Sequence, residues 1–484
     1  MKRIFTLLLT LTVLFGCLTN VALASGMAPG QQGGSEPPSM PQGGPGSNAG
    51  GPEGNPPSGG PEGFGGPGGA PGGMPGAASA DINYVGATEI TDTASLCDGV
   101  YLSDGSDENA ILIDTDKDVT ITNPTVTKSG DSDGGDSCNF YGLNAAVLAM
   151  GGADVTITGG SVTSDAAGAN GVFSYGGNGG QNGAAGDGTT VNISDTVITT
   201  TGDGSGGIMT TGGGITNARN LTVTTSGRSS AAIRTDRGGG TVTVDGGCYT
   251  SNGLGSPAIY STAAITVQNA LLISNLSEGV CIEGKNTITL TDCDLTANNT
   301  QCNGNATFLD TIMIYQSMSG DADSGTSAFT MSGGSLTSKN GHVFHVTNTH
   351  AVITLEDVDI VNMDNENVLL SVCDDGWNGA ENNAELYASA QKMDGTILVG
   401  SNSKLTLHLS NSSTFVGCIS GEITDSKGTA ISTEVGTVSV TLDETSSWTL
   451  TADTYITSFD GSAEQVTGNG YTLYVNGVAL AGTK

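Results

Sequence analysis

The sequence predicts an all-β protein whose main body is a right-handed parallel β-helix (β-solenoid), and three observations carry that expectation. The chain has 77 Gly, 5% aromatic and only 13% charged residues in 484 positions, too little large or charged material for an ordinary helical protein. Beyond an N-terminal apolar run, no long stretch has helical periodicity, while Val, Ile, Thr, Ser, Asn and Gly alternate in short runs. Finally, one two-strand unit recurs along the body: an apolar strand, a Gly or Asn turn, a [Val/Ile]-Thr-[Val/Ile] strand, then a Gly, Asn or Asp turn and a further apolar position.

From the N-terminus, Met1-Lys2-Arg3 and the apolar run Ile4 to Phe15 have the charged head and greasy core of an export signal, and the run is too short to span a bilayer stably. Two mutually exclusive processing sites follow. Leu14-Phe15-Gly16-Cys17 resembles a lipobox that would leave a lipid anchor on Cys17; Ala22-Leu23-Ala24 is an ordinary small-residue cleavage site before Ser25. Phe15 is unusual in a lipobox, which favours a signal peptide over residues 1–24, cleaved after Ala24. The expected location is secreted or cell-surface. Residues 25–80 are dominated by Gly and Pro, hold one aromatic, Phe64, and cannot bury a core; they are expected to form a disordered spacer.

The β-helix is expected over residues 81–420, with further rungs and a cap over 421–484. Its second strand reads Val119-Thr120-Ile121, Val155-Thr156-Ile157, Val191-Asn192-Ile193, Leu221-Thr222-Val223, Val242-Thr243-Val244, Ile265-Thr266-Val267, Ile288-Thr289-Leu290, Phe329-Thr330-Met331 and Ile353-Thr354-Leu355. The tightest steps span 21 to 24 residues, one solenoid turn, since a single unit cannot bury its apolar face alone. Longer steps are expected to carry loops, as at Gly176 to Gly188 and Ser317 to Ser327.

A net charge of −34 with only 14 Lys plus Arg excludes nucleic acid and acidic lipid surfaces as partners, because their phosphates would be repelled. No membrane span is expected after the signal, and the chain is expected to be a monomer. Of nine Cys, eight remain without Cys17; disulfides are expected at Cys97 with Cys138 and Cys293 with Cys302.

On this rung pattern, residues 81 to about 420 resemble the pectin-lyase-like superfamily of right-handed β-helices, and Trp448 to Ile456 resemble the last rungs of autotransporter passenger domains. The resemblance implies fold and says little of activity. For family enzymes that cleave acidic polysaccharides by β-elimination, it implies calcium held by carboxylates beside a Lys or Arg base; Lys285 and Arg234 are the candidates for that catalytic role. The carboxylates beside them are few, so catalysis is the less supported option.

Aligning the first strand of successive turns as Ala231-Ile233-Thr235, Pro257-Ile259-Ser261, Val280-Ile282-Gly284, Ile312-Ile314-Gln316 and His342-Phe344-Val346 turns these residues inward. The outward columns then read Arg234, Tyr260, Glu283, Tyr315, His345 and Asp236, Thr262, Lys285, Ser317, Thr347. With rungs about 4.8 Å apart, Arg234, Asp236, Tyr260, Glu283, Lys285, Tyr315 and His345 form an expected ligand-binding strip for a polysaccharide or surface glycan. The alternative is that these charges pair into ladders across turns, as on any sheet surface. A structural surface stalk would need no strip. No cofactor is required; Ca²⁺ is a candidate at Asp131, Asp133 and Asp136, and the acidic loops Asp104 to Glu108, Asp321-x-Asp323 and Asp374-Asp375 with Glu381 are of the same kind. His342 is expected to face inward, away from His345, and Trp377 either extends a sugar platform or packs on the wall.

Overall fold

Alternation of period two, repeated rung after rung, produces the fold. The computed structural model describes residues 82–178, 185–317, 319–377 and 382–484; the expected signal peptide, Cys17, the Gly/Pro spacer and Glu381 lie outside the described residues. The chain forms a parallel β-helix. Each turn follows one plan, seen plainly in Ile259–Ser261, Ala264–Gln268 and Leu271–Ser274. The first strands of successive turns stack into a 13-stranded parallel sheet, from Gly86–Ile90 to Ile419–Ser420. The second and third strands stack into a 22-stranded sheet, in which Gly214–Thr225 and Gly240–Ser251 run through both columns unbroken.

The repeated Val-Thr-Val strands put Val or Ile inside and Thr outside. Val155, Ile157, Val242, Val244, Ile265, Val267, Ile288 and Leu290 are all buried in one continuous core, while Thr156, Thr243 and Thr266 are exposed. No helix among the described residues is long and apolar enough to cross a membrane. The C-terminal end closes with an antiparallel hairpin, Glu422–Thr424 with Ala430–Thr433, and a small sheet of Thr454–Ile456, Leu473–Val475 and Val478–Ala479.

The corner between the second and third strands has a single-residue cause. Asp98, Asn123, Gly159, Asp195, Asn220, Gly246, Asn269, Asp292, Gly333, Asp357, Ala390 and Asn411 follow residues that pair in unbroken register. All have φ between 48° and 73°, the left-handed region that Gly, Asn and Asp tolerate. Asn side chains also tie neighbours together: Asn220 Nδ2 donates to Asp195 Oδ1 at 2.8 Å. Ala390, exposed and at φ 50°, breaks the rule. Ala390→Asn is therefore expected to raise stability by about 0.5–1 kcal/mol, read as a higher urea midpoint at unchanged slope; a lower midpoint would show that Ala390 is not strained.

A column of buried hydroxyls serves the corner leading back to the first sheet. Thr200, Thr225 and Ser251 donate to the carbonyls of Ser205, Ser230 and Ser256, each at 2.5 Å. The hydroxyls of Ser230 and Ser256 accept the N–H groups of Ser205 and Ser230, each at 2.9 Å. Irregular backbone is thereby satisfied without water.

Neither expected disulfide forms: all eight Cys of the described chain are free. Cys293 belongs to the core inside the coil, whereas Cys302 packs in a separate cluster with Tyr260 and Trp377. Cys97 is exposed beside Asp98, and Cys138 is buried on the short helix Asp136–Tyr141, against Ser132. Irregular spacing carried no information about which side of the wall each thiol occupies.

Candidate functional site

The outward side chains of the first sheet are not an open strip. Arg234, Asp236, Tyr260, Glu283, Tyr315 and His345 are between 0% and 5% exposed; of the seven expected ligand contacts only Lys285 reaches solvent, with half its side chain exposed. The reason lies in the sheet's outer surface, which is largely apolar and must be covered. Leu112, Leu148, Phe173 and Met209 face outward under Phe140 and Tyr141 of the short helix. Tyr260, Cys281, Met313 and Tyr315 lie under Ala306 and Trp377, and Cys373 packs with Phe308 and Ile423. Segments between the strands thus lay a second apolar layer over the sheet.

The register also differs from the expected one. Ile259 pairs with Val280, which pairs with Ile312, which pairs with Phe344. Arg234, Tyr260, Cys281, Met313 and His345 therefore share one column, while Glu283 and Tyr315 pair in the next, with Thr347 beyond them. A shift of two residues preserves inward and outward facing, so the directions held while the neighbours changed.

These residues nevertheless meet. Tyr260 donates to Glu283 Oε2 at 2.5 Å and Tyr315 donates to the same oxygen at 3.0 Å; Ser317 and Ser319 donate to Oε1. Burial pushes Glu283 above the ordinary carboxylate range, and these hydroxyls pull it back. Arg234 Nη2 pairs with Asp236 Oδ2 at 2.6 Å, and its guanidinium lies 5.7 Å from the Tyr260 ring centre. Burial pushes Asp236 up to about 6, with Arg234 opposing the shift. At the solvent edge Arg237 grips Asp321 through Nε at 3.1 Å and Nη2 at 2.5 Å, stacked 4.1 Å from Phe140. Lys285 pairs with Asp323 at 2.8 Å. Both candidate bases, Lys285 and Arg234, are thus held in ion pairs.

His345 joins a different group. Its Nδ1 lies 2.7 Å from Ser371 Oγ and its Nε2 3.2 Å from Asp375 Oδ2. His342 reaches the same Ser371 Oγ at 2.7 Å, so the two rings share the outer side, contrary to the expectation that His342 faces inward. Phe308 packs over both rings, at 5.3 and 4.9 Å. Burial lowers His342 to about 3. For Asp375 burial acts upward, but the hydrogen bonds it takes from His345, Thr307 and the Gly376 N–H together outweigh it and leave the carboxyl below its usual range. The Ser-His-Asp order is suggestive of a nucleophile, yet Ser371 and His345 are fully buried, which leaves no approach for a substrate.

Asp131, Asp133 and Asp136 are exposed, and no group of three or more His, Cys, Asp or Glu among the described residues is placed to hold a metal ion. Asp131 accepts the N–H of Ala167 at 2.8 Å. The cation in this region is Lys128, fully buried, whose ammonium donates to the carbonyls of Gly105 and Gly130 at 2.7 and 2.6 Å. Sequence reasoning missed Lys128, although a Lys at the inward position of Thr125–Lys128 is the signal that would have found it. No protein-family model matches the chain, and no curated protein is similar to it in sequence.

Proposed function

We propose that this is an exported, secreted or surface-displayed β-helix that binds polysaccharide or another surface glycan where the first-sheet strands end. The export reading rests on the charged and apolar N-terminal sequence, with cleavage after Ala24 favoured over a lipid anchor at Cys17. The stacked three-strand turn supports a pectin-lyase-like relationship, and fold alone carries no activity. One observation carries the glycan reading: Arg237 with Asp321 and Lys285 with Asp323 present charge and hydrogen-bonding groups at the solvent edge, backed by the buried Arg234, Asp236, Tyr260, Glu283 and Tyr315. A polar edge on a rigid, buried support is how a binding surface is pre-organised. The contact zone is thus narrower than a strip along the whole face.

The test is binding of the protein to an array of plant and microbial polysaccharides, with and without Ca²⁺, while unsaturated products are followed by ultraviolet absorbance. Retention of a glycan without product, weakened at least tenfold by Arg237→Ala, is the expected result. Product formation would establish the lyase alternative instead. Binding to nothing would overturn the reading and leave a structural surface rod, which the second apolar layer over the first sheet favours.

A further inference from the structure

On the outer face of the 22-stranded sheet, one outward column runs Thr289, Thr330, Thr354, Tyr387 and His408 on successive turns, so two rings follow a series of short hydroxyls. The Tyr387 and His408 rings stack 4.7 Å apart at 2°, matching the rung spacing of about 4.8 Å. The stack therefore runs along the coil, and each ring plane lies across it. His408 covers one face of Tyr387. The other face looks toward Thr354, whose side chain is too short to cover it, and Tyr387 stays 37% exposed. An aromatic pair supports a sheet wherever it sits, but that support uses only the faces turned to each other, and the outer face of Tyr387 is left over.

The Tyr387 ring is held in this attitude by its neighbours. Tyr387 donates to Glu385 Oε2 at 2.6 Å, and His350 Nε2 lies 3.0 Å from Glu385 Oε1. The hydrogen bond from Tyr387, with His350 adding to it, keeps the Glu385 carboxyl below its usual range. His350, with 40% of its side chain exposed, shares the strand of Thr354, and exposed Glu356 ends that strand. A fixed aromatic plane rimmed by hydrogen-bonding groups suits a sugar ring, whose C–H face stacks on the plane while its hydroxyls bond at the rim. Holding the plane before the ligand arrives lowers the ordering cost of binding.

We propose that the open face of Tyr387 binds one ring of a neutral, β-1,4-linked glycan, seated over Thr354 as the third layer of the Tyr387–His408 stack, with its hydroxyls turned to Thr354, His350 and Glu356. Rings linked in this way carry their substituents equatorially and so present flat C–H faces to an aromatic plane. A net charge of −34 repels polyanionic chains and selects a neutral one. Because the stack crosses the coil axis at right angles, the glycan runs along the strand of Thr354 and not along the coil. The site lies on a different sheet from Arg234, Tyr260 and Glu283, and it stands whether or not a polysaccharide binds at Arg237.

The experiment is calorimetric titration of the full-length protein with cellohexaose and xylohexaose as neutral probes and hexagalacturonate as the acidic one. Saturable binding of a neutral probe is expected, about tenfold weaker in Tyr387→Ala and largely rescued by Tyr387→Phe, which keeps the aromatic plane. Thr354→Tyr fills the open place with a third ring and is expected to abolish binding without loosening the stack, so the site is tested even where the Tyr387→Ala chain fails to fold. Equal binding by Thr354→Tyr and the unaltered protein, no saturable binding of either neutral probe, or preference for hexagalacturonate would overturn the proposal. Loss of neutral-probe binding in Arg237→Ala but not in Thr354→Tyr would place the glycan at the first-sheet edge, overturning this site and sparing that one.

Discussion

Phe329→Ala is expected to lower stability by about 3–5 kcal/mol. Phe329 and Phe344 are fully buried on opposite sheets, their rings edge to face at 5.8 Å, so they bridge the interior of one stretch of the coil. Removing one ring leaves a void that strands locked in register on both sides cannot collapse to fill. Because a solenoid's stability is the sum of each turn and its contacts with the next, the loss concentrates in adjoining rungs. Amide exchange should accelerate in Thr287–Thr291, Thr326–Ser332 and His350–Glu356, which pair in sequence, and much less near the termini. Uniform acceleration along the chain would show instead that the coil unfolds as one unit.

Arg234→Ala is expected to cost about 3 kcal/mol, since it strips Asp236 of its 2.6 Å partner while leaving the carboxylate 3% exposed. Replacing both partners with apolar groups, Arg234→Met with Asp236→Leu, should restore most of that loss. The pair also fixes a pH dependence. Burial lifts Asp236 to about 6, above the ordinary value of about 3.9, so between these values the folded chain holds a proton that the unfolded chain releases. The contribution of Asp236 to stability is therefore greatest below about pH 4 and declines as pH rises to about 6. Denaturation midpoints measured across that window should show a slope that Asp236→Asn removes; an unchanged slope would assign it to other buried carboxyls such as Glu278.

The third strand of each turn, read only as an apolar position, the place of Leu221-Thr222-Val223 in that third column and the outward facing of His342 were not legible in the sequence. The second strand of most turns, the facing of its side chains and the bend after it were. Each depends on a local rule: Val-Thr-Val alternates with period two, and Asn, Asp or Gly marks the left-handed corner. Register was not legible. Val280-Cys281-Ile282 and Ile312-Met313-Ile314 are apolar at every position, so a slip of two residues buries a nearly identical face. That ambiguity placed Glu283 and Tyr315 in the wrong column. The burial of the candidate residues was legible in part: Leu112, Leu148 and Phe173 at outward positions need a cover, and Phe140, Phe308 and Trp377 stand in otherwise polar loops able to supply it. The meeting of Tyr260, Tyr315, Ser317 and Ser319 on one carboxylate depends on a loop folding back, which no spacing specifies.

The column of left-handed corners makes the molecule's length a matter of copy number. The turns enter and leave that corner with the same backbone geometry, and their second strands pair with those above and below without a slip. A whole turn gained or lost between two such corners, as between Asn269 and Asp292, would leave the ends able to rejoin with apolar side chains still facing inward. Reach can then change by one strand spacing at a time, while the loops that cover the first sheet vary separately from the coil that carries them.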